Sequence, residues 1–356
     1  MATVLRSFAK INLGLRIGPV RADGFHGLCT LYQTIGLHDL VMVSARRSDV
    51  TRISLSSSDE RVPTDARNTA WRMVEAALLQ MRITAEVEIH IQKNLPVQGG
   101  LGAGSANAAA ALIGLERELG ASLSGPERLQ LAGEIGSDVP LFLVGGASVG
   151  MSRGEVVVPY PDLPPMHCVI AAPAVGVSTP TAFREWDRLQ SQPISEDSER
   201  GHPDISLTPA RAFDRLEKLS RVYASAVLPV DEGLGASGVP GQVFSQEKHS
   251  LVGDLAGNPL PALVRTGIAN DFEEVVLQQH PPLRDILHAL HGQDGLSEEQ
   301  RAIVAMLSGS GSSLFGLYRT EEDAVAAQQR VLGMGTAASV TSTLPRSLYW
   351  QTMLVK

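Results

Sequence analysis

The sequence predicts a mixed α/β or α+β fold in two domains. The chain has 356 residues, which is enough for two hydrophobic cores of ordinary size. Strand and helix patterns alternate through about residue 158, as expected when helices cover a sheet. A second set of regular segments begins with an apolar strand at residues 168–171. We therefore predict an N-terminal domain at residues 1–158 and a C-terminal domain at residues 159–356.

The composition excludes several classes of protein. Hydrophobic residues make up 44% of the chain and charged residues 19%, as in ordinary globular proteins. The net charge of −8 argues against nucleic acid as a partner, since nucleic-acid binders normally carry a basic face. The two cysteines, Cys29 and Cys168, cannot form a disulfide framework. Because no apolar run matches a membrane span or a signal peptide, we expect a cytoplasmic enzyme.

The first half contains strands with clear faces. In residues 3–17, Ile11 and Leu13 share one face, whereas Lys10 and Asn12 share the other. Period-two patterns or short apolar runs predict further strands at residues 40–43, 53–55 and 87–91.

Helices are predicted next to these strands from their capping residues. Asn68 suits the N-cap of an amphipathic helix, and an apolar helix is predicted at residues 108–119. Ser124 and Glu127 form a capping-box pattern, and that helix should end near Gly136.

The second half is regular at its two ends and irregular between them. Regular patterns resume at Asn270 and lead into a strand at residues 314–318. Residues 188–262 are rich in Pro, Ser, Gly and acidic residues, and only a helix at residues 209–223 stands out. We expect residues 188–262 to form an irregular insertion or surface loop.

A glycine-rich loop at residues 96–106 is the most informative motif. Its glycines precede an apolar helix, permit positive φ and allow a ligand to approach closely. Because the first N–H groups of a helix lack partners, this pattern predicts a cradle for an anion, most often phosphate. A flexible turn before a core helix is the alternative.

Two common phosphate-binding loops fit the motif less well. A Walker A loop has Lys and then Ser or Thr after its last glycine, whereas Gly104 precedes Ser105 and Ala106. A Rossmann loop follows its strand directly, whereas residues 93–98 intervene here. The Rossmann alternative stays open with weaker support.

Two charged residues could carry chemistry beside such a cradle. Lys10 would need an anionic partner if its strand face is buried, and none if it lies on a solvent-facing edge strand. Asp138 precedes Pro140 at the start of a short apolar run, where an N-cap is expected. Alternatively, a carboxylate beside a phosphate site could orient or deprotonate a hydroxyl group.

Two further segments have ligand-binding chemistry. A turn at residues 21–24 leads into Phe25 and His26, which could stack on and hydrogen-bond to a flat heterocycle. An ordinary turn with Phe25 in the core is the alternative. A second glycine cluster at residues 309–311 could close a phosphate pocket from the C-terminal domain.

Together these segments resemble a known family of kinases. Residues 9–13 (AKINL), 21–26 (RADGFH) and 33–35 (QTI) resemble the opening of the 4-diphosphocytidyl-2-C-methyl-D-erythritol kinases. That family belongs to the GHMP superfamily of galactokinase, homoserine kinase, mevalonate kinase and phosphomevalonate kinase. The glycine-rich loop resembles the superfamily's ATP loop, and residues 136–140 and 307–312 resemble its catalytic-aspartate and C-terminal glycine motifs.

The resemblance covers residues 3–186 and 266–355 and implies a fold and an activity. The fold would be the two-domain α+β GHMP kinase fold, with a ribosomal-S5-like N-terminal domain and a ferredoxin-like C-terminal domain. The activity would be phosphorylation, by ATP with Mg²⁺, of the 2-hydroxyl of 4-diphosphocytidyl-2-C-methyl-D-erythritol in the non-mevalonate isoprenoid pathway. A monomer or homodimer is expected, without nucleic-acid or membrane partners, and the metal ligands stay unidentified.

The resemblance also implies roles for single residues. Lys10 and Asp138 would be the catalytic pair, with Asp138 as the base, and Asn12 would contact the methylerythritol. Asn68 would lie near the adenine. The ATP loop would comprise Pro96, Val97, Gln98, Gly99, Gly100, Leu101, Gly102, Ala103, Gly104, Ser105 and Ala106.

The cytidine site has a matching set, with some departures from the family pattern. Phe25 and Phe183 would sandwich the cytosine, and His26 would read its edge. Phe25 replaces the usual tyrosine, which keeps the stacking surface and removes a hydroxyl group. Ala106 replaces the second serine of the ATP loop, so that Ser105 is the remaining hydroxyl there.

Two alternatives to this activity stay open on the sequence. The chain could be another small-alcohol kinase of the superfamily, although only a cytidine-bearing substrate needs an aromatic sandwich. It could also be a catalytically silent nucleotide-binding regulator, which the long segment at residues 188–262 favours. Retention of the lysine and aspartate pair argues against a silent regulator.

Overall fold

Two β-sheets with covering helices make up the described part of the chain, which is residues 2–190, 260, 268–292 and 295–356 of a computed structural model. The strands are β1 (Thr3–Val20), β2 (His26–Arg47), β3 (Arg52–Ser57), β4 (Ala85–Gln92), β5 (Ala147–Ser152), β6 (Val156–Pro159), β7 (His167–Ala172), β8 (Val304–Leu307), β9 (Leu314–Tyr318) and β10 (Ala337–Ser342). The described helices are α1 (Thr69–Met81), α2 (Ala103–Leu119), α3 (Gly125–Ile135), α4 (Val139–Val144), α5 (Thr179–Gln190), α6 (Phe272–Gln279), α7 (Pro282–His291), α8 (Glu321–Gly333) and α9 (Arg346–Met353).

The first sheet has the order β3-β4-β2-β5-β6, with β1 also paired to β2. β1 and β2 are antiparallel from Thr3↔Val43 to Val20↔His26, with irregular register near Asn12. Ile11 and Leu13 are fully buried, as their spacing predicts. Lys10 is only 3% exposed, so the solvent-facing alternative for its strand face is wrong.

The second sheet has the order β10-β7-β9-β8, and its paired strands are antiparallel. Helices connect β7 to β8 and β9 to β10, so the described elements follow the βαββαβ pattern of ferredoxin-like folds. α5, α6, α7 and α8 contribute buried residues to the core of this sheet, including Trp186, Val275, Leu290 and Val331. The ferredoxin-like topology agrees with the expectation for this half of the chain.

The capping predictions are confirmed at two helices. The Asn68 side chain accepts a hydrogen bond from the backbone N–H of Ala70 at the start of α1. Ser124 and Glu127 form a reciprocal capping box at the start of α3, and Gly136 follows its last residue.

The helix after the glycine-rich loop begins earlier than its pattern predicts. α2 begins at Ala103 rather than at residue 108, and it follows Gly102, whose φ is +70°. The run of alanines favours helix as soon as the last glycine with positive φ has been passed. The end of the glycine-rich loop is therefore the first turn of α2. The helix predicted at residues 209–223 lies outside the described residues, as does most of the segment at 188–262.

α9 packs against the first sheet, although it follows the second sheet in sequence. The Tyr349 side chain is fully buried in the first core and donates a hydrogen bond to the carbonyl of Phe142 at 2.7 Å. Leu354 pairs with Leu5, and the N–H of Val355 donates to the carbonyl of Val4. In the described part of the chain, no helix is long and apolar enough to cross a bilayer.

A buried carboxylate fixes the approach to the glycine-rich loop. Asp39 on β2 is fully buried and accepts from the ammonium of Lys93 at 2.6 Å and from the N–H groups of Asn94 and Leu95 at 2.8 Å. The amide of Asn107 on α2 donates to the same carboxylate at 3.2 Å. One side chain therefore connects β2, the segment before the loop and the helix after it.

We expect Asp39→Ala to lower the free energy of unfolding by about 3–5 kcal/mol, because it leaves the buried ammonium of Lys93 without its carboxylate. Urea unfolding of the purified protein measures this change. Asp65→Ala is the control: Asp65 is a half-exposed partner of Arg67, and its loss should change stability much less. Equal effects of the two substitutions would contradict the role of Asp39.

Candidate active site

Two cavities lie side by side along the glycine-rich loop. The larger has a volume of about 620 Å³ and the smaller about 400 Å³, both in the range of small-molecule sites. Gly100 and Gly102 line both cavities. The larger is also lined by the predicted site residues Lys10, Asn12, Phe25, His26, Asp138 and Phe183. The smaller is lined by Pro96 to Ser105 of the loop together with Asn68, Arg67 and Lys93. Ala106 is buried behind this surface.

The side chain of Lys10 lines the larger cavity and packs beside Gly102, a glycine that both cavities share. Its Nζ donates to Oδ1 of Asn12 at 2.6 Å and lies 3.3 Å from Oδ2 of Asp138. It also lies 5.6 Å from the ring centroid of Tyr32, within the range of a cation–π contact. These groups offset the loss of water around a buried charge. Lys10 and Asp138, which are far apart in sequence, therefore form an ion pair.

Asp138 occupies an N-cap position without acting as a cap. It precedes α4 with φ −87° and ψ −7°, and its side chain makes no capping hydrogen bond. A capping residue normally has extended backbone, which lets its side chain turn back to the helix N–H groups. The capping alternative is therefore wrong. Instead, Oδ1 accepts from the hydroxyl of Tyr32 at 2.9 Å, and 31% of the Asp138 side chain is exposed.

Tyr32 stays a hydrogen-bond donor to Asp138. Burial raises the pKa of its phenol well above the usual value, and the negative charge of Asp138 raises this pKa further. Sequence reasoning did not find Tyr32, because it is one apolar-looking residue within a long strand. On β2, Tyr32 pairs with Ser148 of β5, and its hydroxyl reaches Asp138 in the segment that precedes α4.

Asn12 has its amide group oriented by the strand pair. Its Oδ1 accepts from Lys10, while its Nδ2 donates to the hydroxyl of Thr30 at 2.8 Å. That hydroxyl donates in turn to the carbonyl of Gly14 at 2.7 Å. The role of Asn12 toward a substrate stays a prediction.

The second glycine cluster packs directly on the first. The hydroxyl of Ser308 donates to the carbonyl of Gly100 at 3.1 Å, and the N–H of Ser313 donates to the carbonyl of Gly99 at 3.1 Å. Gly309 has φ +59°, and a Cβ atom there would lie 3.3 Å from Nζ of Lys10. The loop after β8 therefore forms part of the wall around the lysine.

Two residues near the start of α6 hold this second loop by hydrogen bonds. The Asn270 amide donates to the carbonyls of Leu307 and Gly309, at 2.9 and 2.7 Å. The Glu273 carboxylate accepts from the N–H of Leu307 at 2.7 Å, and burial raises the pKa of Glu273 to about 7. The family resemblance includes residues 270–273, but the residues alone gave no sign of this supporting role.

The aromatic residues occupy one end of the larger cavity. Phe25 is 51% exposed, so its placement in the core is wrong, and the Arg153 guanidinium lies 4.9 Å from its ring centroid. The imidazole of His26 stacks on Phe183, with ring centroids 4.8 Å apart and planes at 13°. His26 Nε2 also lies 2.8 Å from Oδ1 of Asp187. Sequence reasoning missed Arg153 and Asp187.

Asn68 and Ser105 face the smaller cavity in different ways. The Asn68 amide caps α1 and donates to the carbonyl of Pro63 at 2.8 Å, so both of its ends have protein partners. Ser105 lies in the first turn of α2, a turn that contains no acidic residue. The N-terminus of α2 therefore presents its positive dipole end to this cavity.

Comparison with known proteins agrees with this architecture. The family models described as GHMP kinases N terminal domain and GHMP kinases C terminal match residues 68–146 and 250–335. The fold resembles that of a homoserine kinase from Cytophaga hutchinsonii, with a TM-score of 0.63 at 18% identity, covering 97% of this chain and 94% of that one. The structure of a 4-(cytidine 5'-diphospho)-2C-methyl-D-erythritol kinase gives a TM-score of 0.62 at 24% identity, covering 96% and 98%.

These matches define a GHMP kinase with the two-domain fold that the resemblance implied. Relatives narrow this class. The chain is 32% identical over 337 residues to a 4-diphosphocytidyl-2-C-methyl-D-erythritol kinase of Solibacter usitatus, covering 95% of this chain and 87% of that protein. It is 32% identical over 357 residues to one of Corynebacterium glutamicum, covering 97% and 95%. The chain belongs to the family of 4-diphosphocytidyl-2-C-methyl-D-erythritol kinases. Its members are ATP-dependent phosphotransferases of the non-mevalonate pathway.

We expect Gly100→Ala to destabilise the protein strongly. Gly100 has φ +76°, and a Cβ atom there would overlap the backbone carbonyl oxygen of Ser308. Gly120→Ala is the matched control, because Gly120 has φ +59° and open space around it. The control isolates the strain of a positive φ, about 1–2 kcal/mol. Urea unfolding should show a clearly larger loss for Gly100→Ala, and equal losses would contradict the close packing of the two loops.

Proposed function

We propose that this chain transfers the γ-phosphate of ATP to the 2-hydroxyl of 4-diphosphocytidyl-2-C-methyl-D-erythritol. The observation that carries the proposal is the Lys10–Asp138 ion pair in the wall of the larger cavity, beside the glycine-rich loop that lines both cavities. ATP would occupy the smaller cavity, and the cytidyl substrate the larger. The γ-phosphate would then reach past the shared loop to the acceptor hydroxyl beside Asp138.

In this proposal Asp138 is the general base. Its exposed oxygen would accept the proton of the 2-hydroxyl as the alkoxide oxygen bonds to the γ-phosphorus and the bond to ADP breaks. Tyr32 donates a hydrogen bond to the carboxylate and Lys10 lies 3.3 Å from it, so both would keep it oriented. Lys10 would also place positive charge beside the transferred phosphoryl group.

The glycine-rich loop would bind the triphosphate. Gly100 and Gly102 allow close approach, and the first turn of α2 supplies N–H groups at the positive end of its dipole. Asn68, which caps α1 and donates to the carbonyl of Pro63, would shape the adenine end of the cavity.

We propose that Mg²⁺ arrives with ATP. No cluster of three His, Cys, Asp or Glu side chains that could hold a metal occurs among the described residues. Mg²⁺ commonly takes one or two protein ligands beside phosphate oxygens and water, so the Ser105 hydroxyl in the first turn of α2 fits such a site. Mg²⁺ would neutralise charge on the phosphate oxygens.

The cytosine would bind at the aromatic end of the larger cavity. Phe25 and Phe183 would supply stacking surfaces, and His26 would read the edge of the base. Asn12, held by Lys10 and Thr30, would contact the methylerythritol beside the reacting hydroxyl.

The proposed activity is tested with the purified protein, Mg-ATP and a panel of alcohols. We expect turnover of the cytidyl compound and much slower turnover of homoserine and mevalonate. Turnover of another alcohol without any turnover of the cytidyl compound would reject the proposed substrate and keep the kinase class.

We expect Asp138→Asn to reduce kcat by about 10²–10⁴, because the amide cannot accept the hydroxyl proton. The asparagine can still accept from Tyr32, but it leaves the buried ammonium of Lys10 without its anionic partner, so the melting temperature should fall while ATP affinity changes little. Lys10→Met should also lose activity, and the double variant should be little worse than either single one, since the pair acts as a unit. Retention of more than about a tenth of the parental kcat by Asp138→Asn would contradict its role as base.

We expect Phe183→Leu to raise KM for the cytidyl substrate by about tenfold to a hundredfold, because one stacking partner contributes about 1–3 kcal/mol. Leucine retains an apolar side chain against the core residue Phe272, which limits the effect on folding. KM for ATP is the internal control and should stay within about twofold of the parent. Equal increases of both KM values would show that Phe183 serves the core alone.

A further inference from the structure

One helix holds the imidazole of His26 by both its face and its edge. Phe183 and Asp187 lie four residues apart on α5, so they share one side of the helix. Phe183 stacks on the imidazole plane, and Asp187 Oδ1 lies 2.8 Å from Nε2. His26 comes from β2 of the first sheet, whereas α5 packs on the second sheet. The ring is therefore fixed by two side chains from the other half of the molecule.

The contact with Asp187 determines which nitrogen of the neutral imidazole carries the proton. An ionised carboxylate can only accept hydrogen bonds, so Nε2 must be the N–H group. Nδ1 then has a lone pair and can only accept. The side chain of His26 is 8% exposed, and it lines the larger cavity.

We propose that Asp187 is a positioning residue that makes the site select cytosine over uracil. Cytosine carries an exocyclic amino group, a donor, at the position where uracil carries a carbonyl oxygen, an acceptor. An imidazole whose Nδ1 is an acceptor can accept a hydrogen bond from the amino group of cytosine. The carbonyl oxygen of uracil would instead face the lone pair of Nδ1, and no hydrogen bond would form. This inference rests on the proposed function, since it concerns the base of the cytidyl substrate.

The stacking geometry supports the same assignment. A hydrogen bond to Nδ1 is strongest in the plane of the imidazole, so the base would lie nearly coplanar with His26. That plane is within 13° of the Phe183 ring, so the base would extend the same layer over Phe183. The exposed ring of Phe25 would cover the base from the cavity side.

The first test measures the tautomer directly. Long-range ¹H–¹⁵N spectra of the ligand-free protein, in mildly alkaline buffer, distinguish a protonated ring nitrogen from a bare one. The chain has nine histidines, and loss of one signal set in His26→Gln assigns the residue. We expect the proton on Nε2 in the parent. In Asp187→Asn the amide can donate or accept, so the population with a proton on Nδ1 should rise. A parental proton on Nδ1 would overturn the proposal.

The second test compares kcat/KM for the cytidyl substrate with that for its synthetic uridyl analogue. We expect Asp187→Asn to lower the cytidyl-to-uridyl ratio by about threefold to tenfold, the value of one hydrogen bond. Asp187→Glu keeps a carboxylate and should restore at least part of the ratio. Glu185→Gln is the matched control on the same helix: Glu185 pairs with Arg188, so its loss should leave the ratio unchanged.

The outcomes separate this inference from the proposed function. An unchanged ratio in Asp187→Asn, with or without a shift of tautomer, would overturn base selection while cytidyl turnover by the parent upholds the kinase activity. A loss of cytidyl activity with an unchanged ratio would show a purely structural role for Asp187. A parent that turns over neither substrate would overturn the proposed function and base selection together, whereas the spectra would still report whether Asp187 sets the tautomer.

Discussion

The buried charge of Lys10 is the constraint on which the candidate site depends. An ammonium group that is almost completely removed from water is tolerated only if anionic and polar groups surround it. Asn12 and Asp138 supply those groups, and two glycines, Gly102 and Gly309, leave room for the lysine side chain. The arrangement needed for a stable fold is thus the one that places a carboxylate in the wall of the larger cavity.

The two sheets contribute unequal parts of the site. The first sheet supplies Lys10 and the support for Asp138, whereas the second supplies the loop around Gly309 and the aromatic face of α5. The two glycine loops hydrogen-bond to each other, and Asp39 holds the segment before the first. The ion pair and the first glycine loop therefore depend mainly on the first sheet. Recognition of the far end of a substrate depends on contacts between the two sheets.

Local signals in the sequence predicted the local structure well. The faces of β1, the Asn68 cap and the capping box of α3 depend on residues within a few positions of each other. Asp138 could not be assigned in the same way, because its partners Lys10 and Tyr32 lie on other strands. The His26–Asp187 contact could not be predicted for the same reason, since it depends on how the two sheets pack. The family resemblance bridged part of this gap by placing distant residues in one site.

The packing of α9 has a consequence for the order of events during synthesis. The first core contains Tyr349, and β1 pairs with Leu354, so the N-terminal sheet lacks part of its core until these residues have left the ribosome. By then the residues of the second sheet have already been translated. N-terminal domains usually fold first as the chain emerges, but here β1 acquires one of its neighbours only after the whole second sheet has been translated.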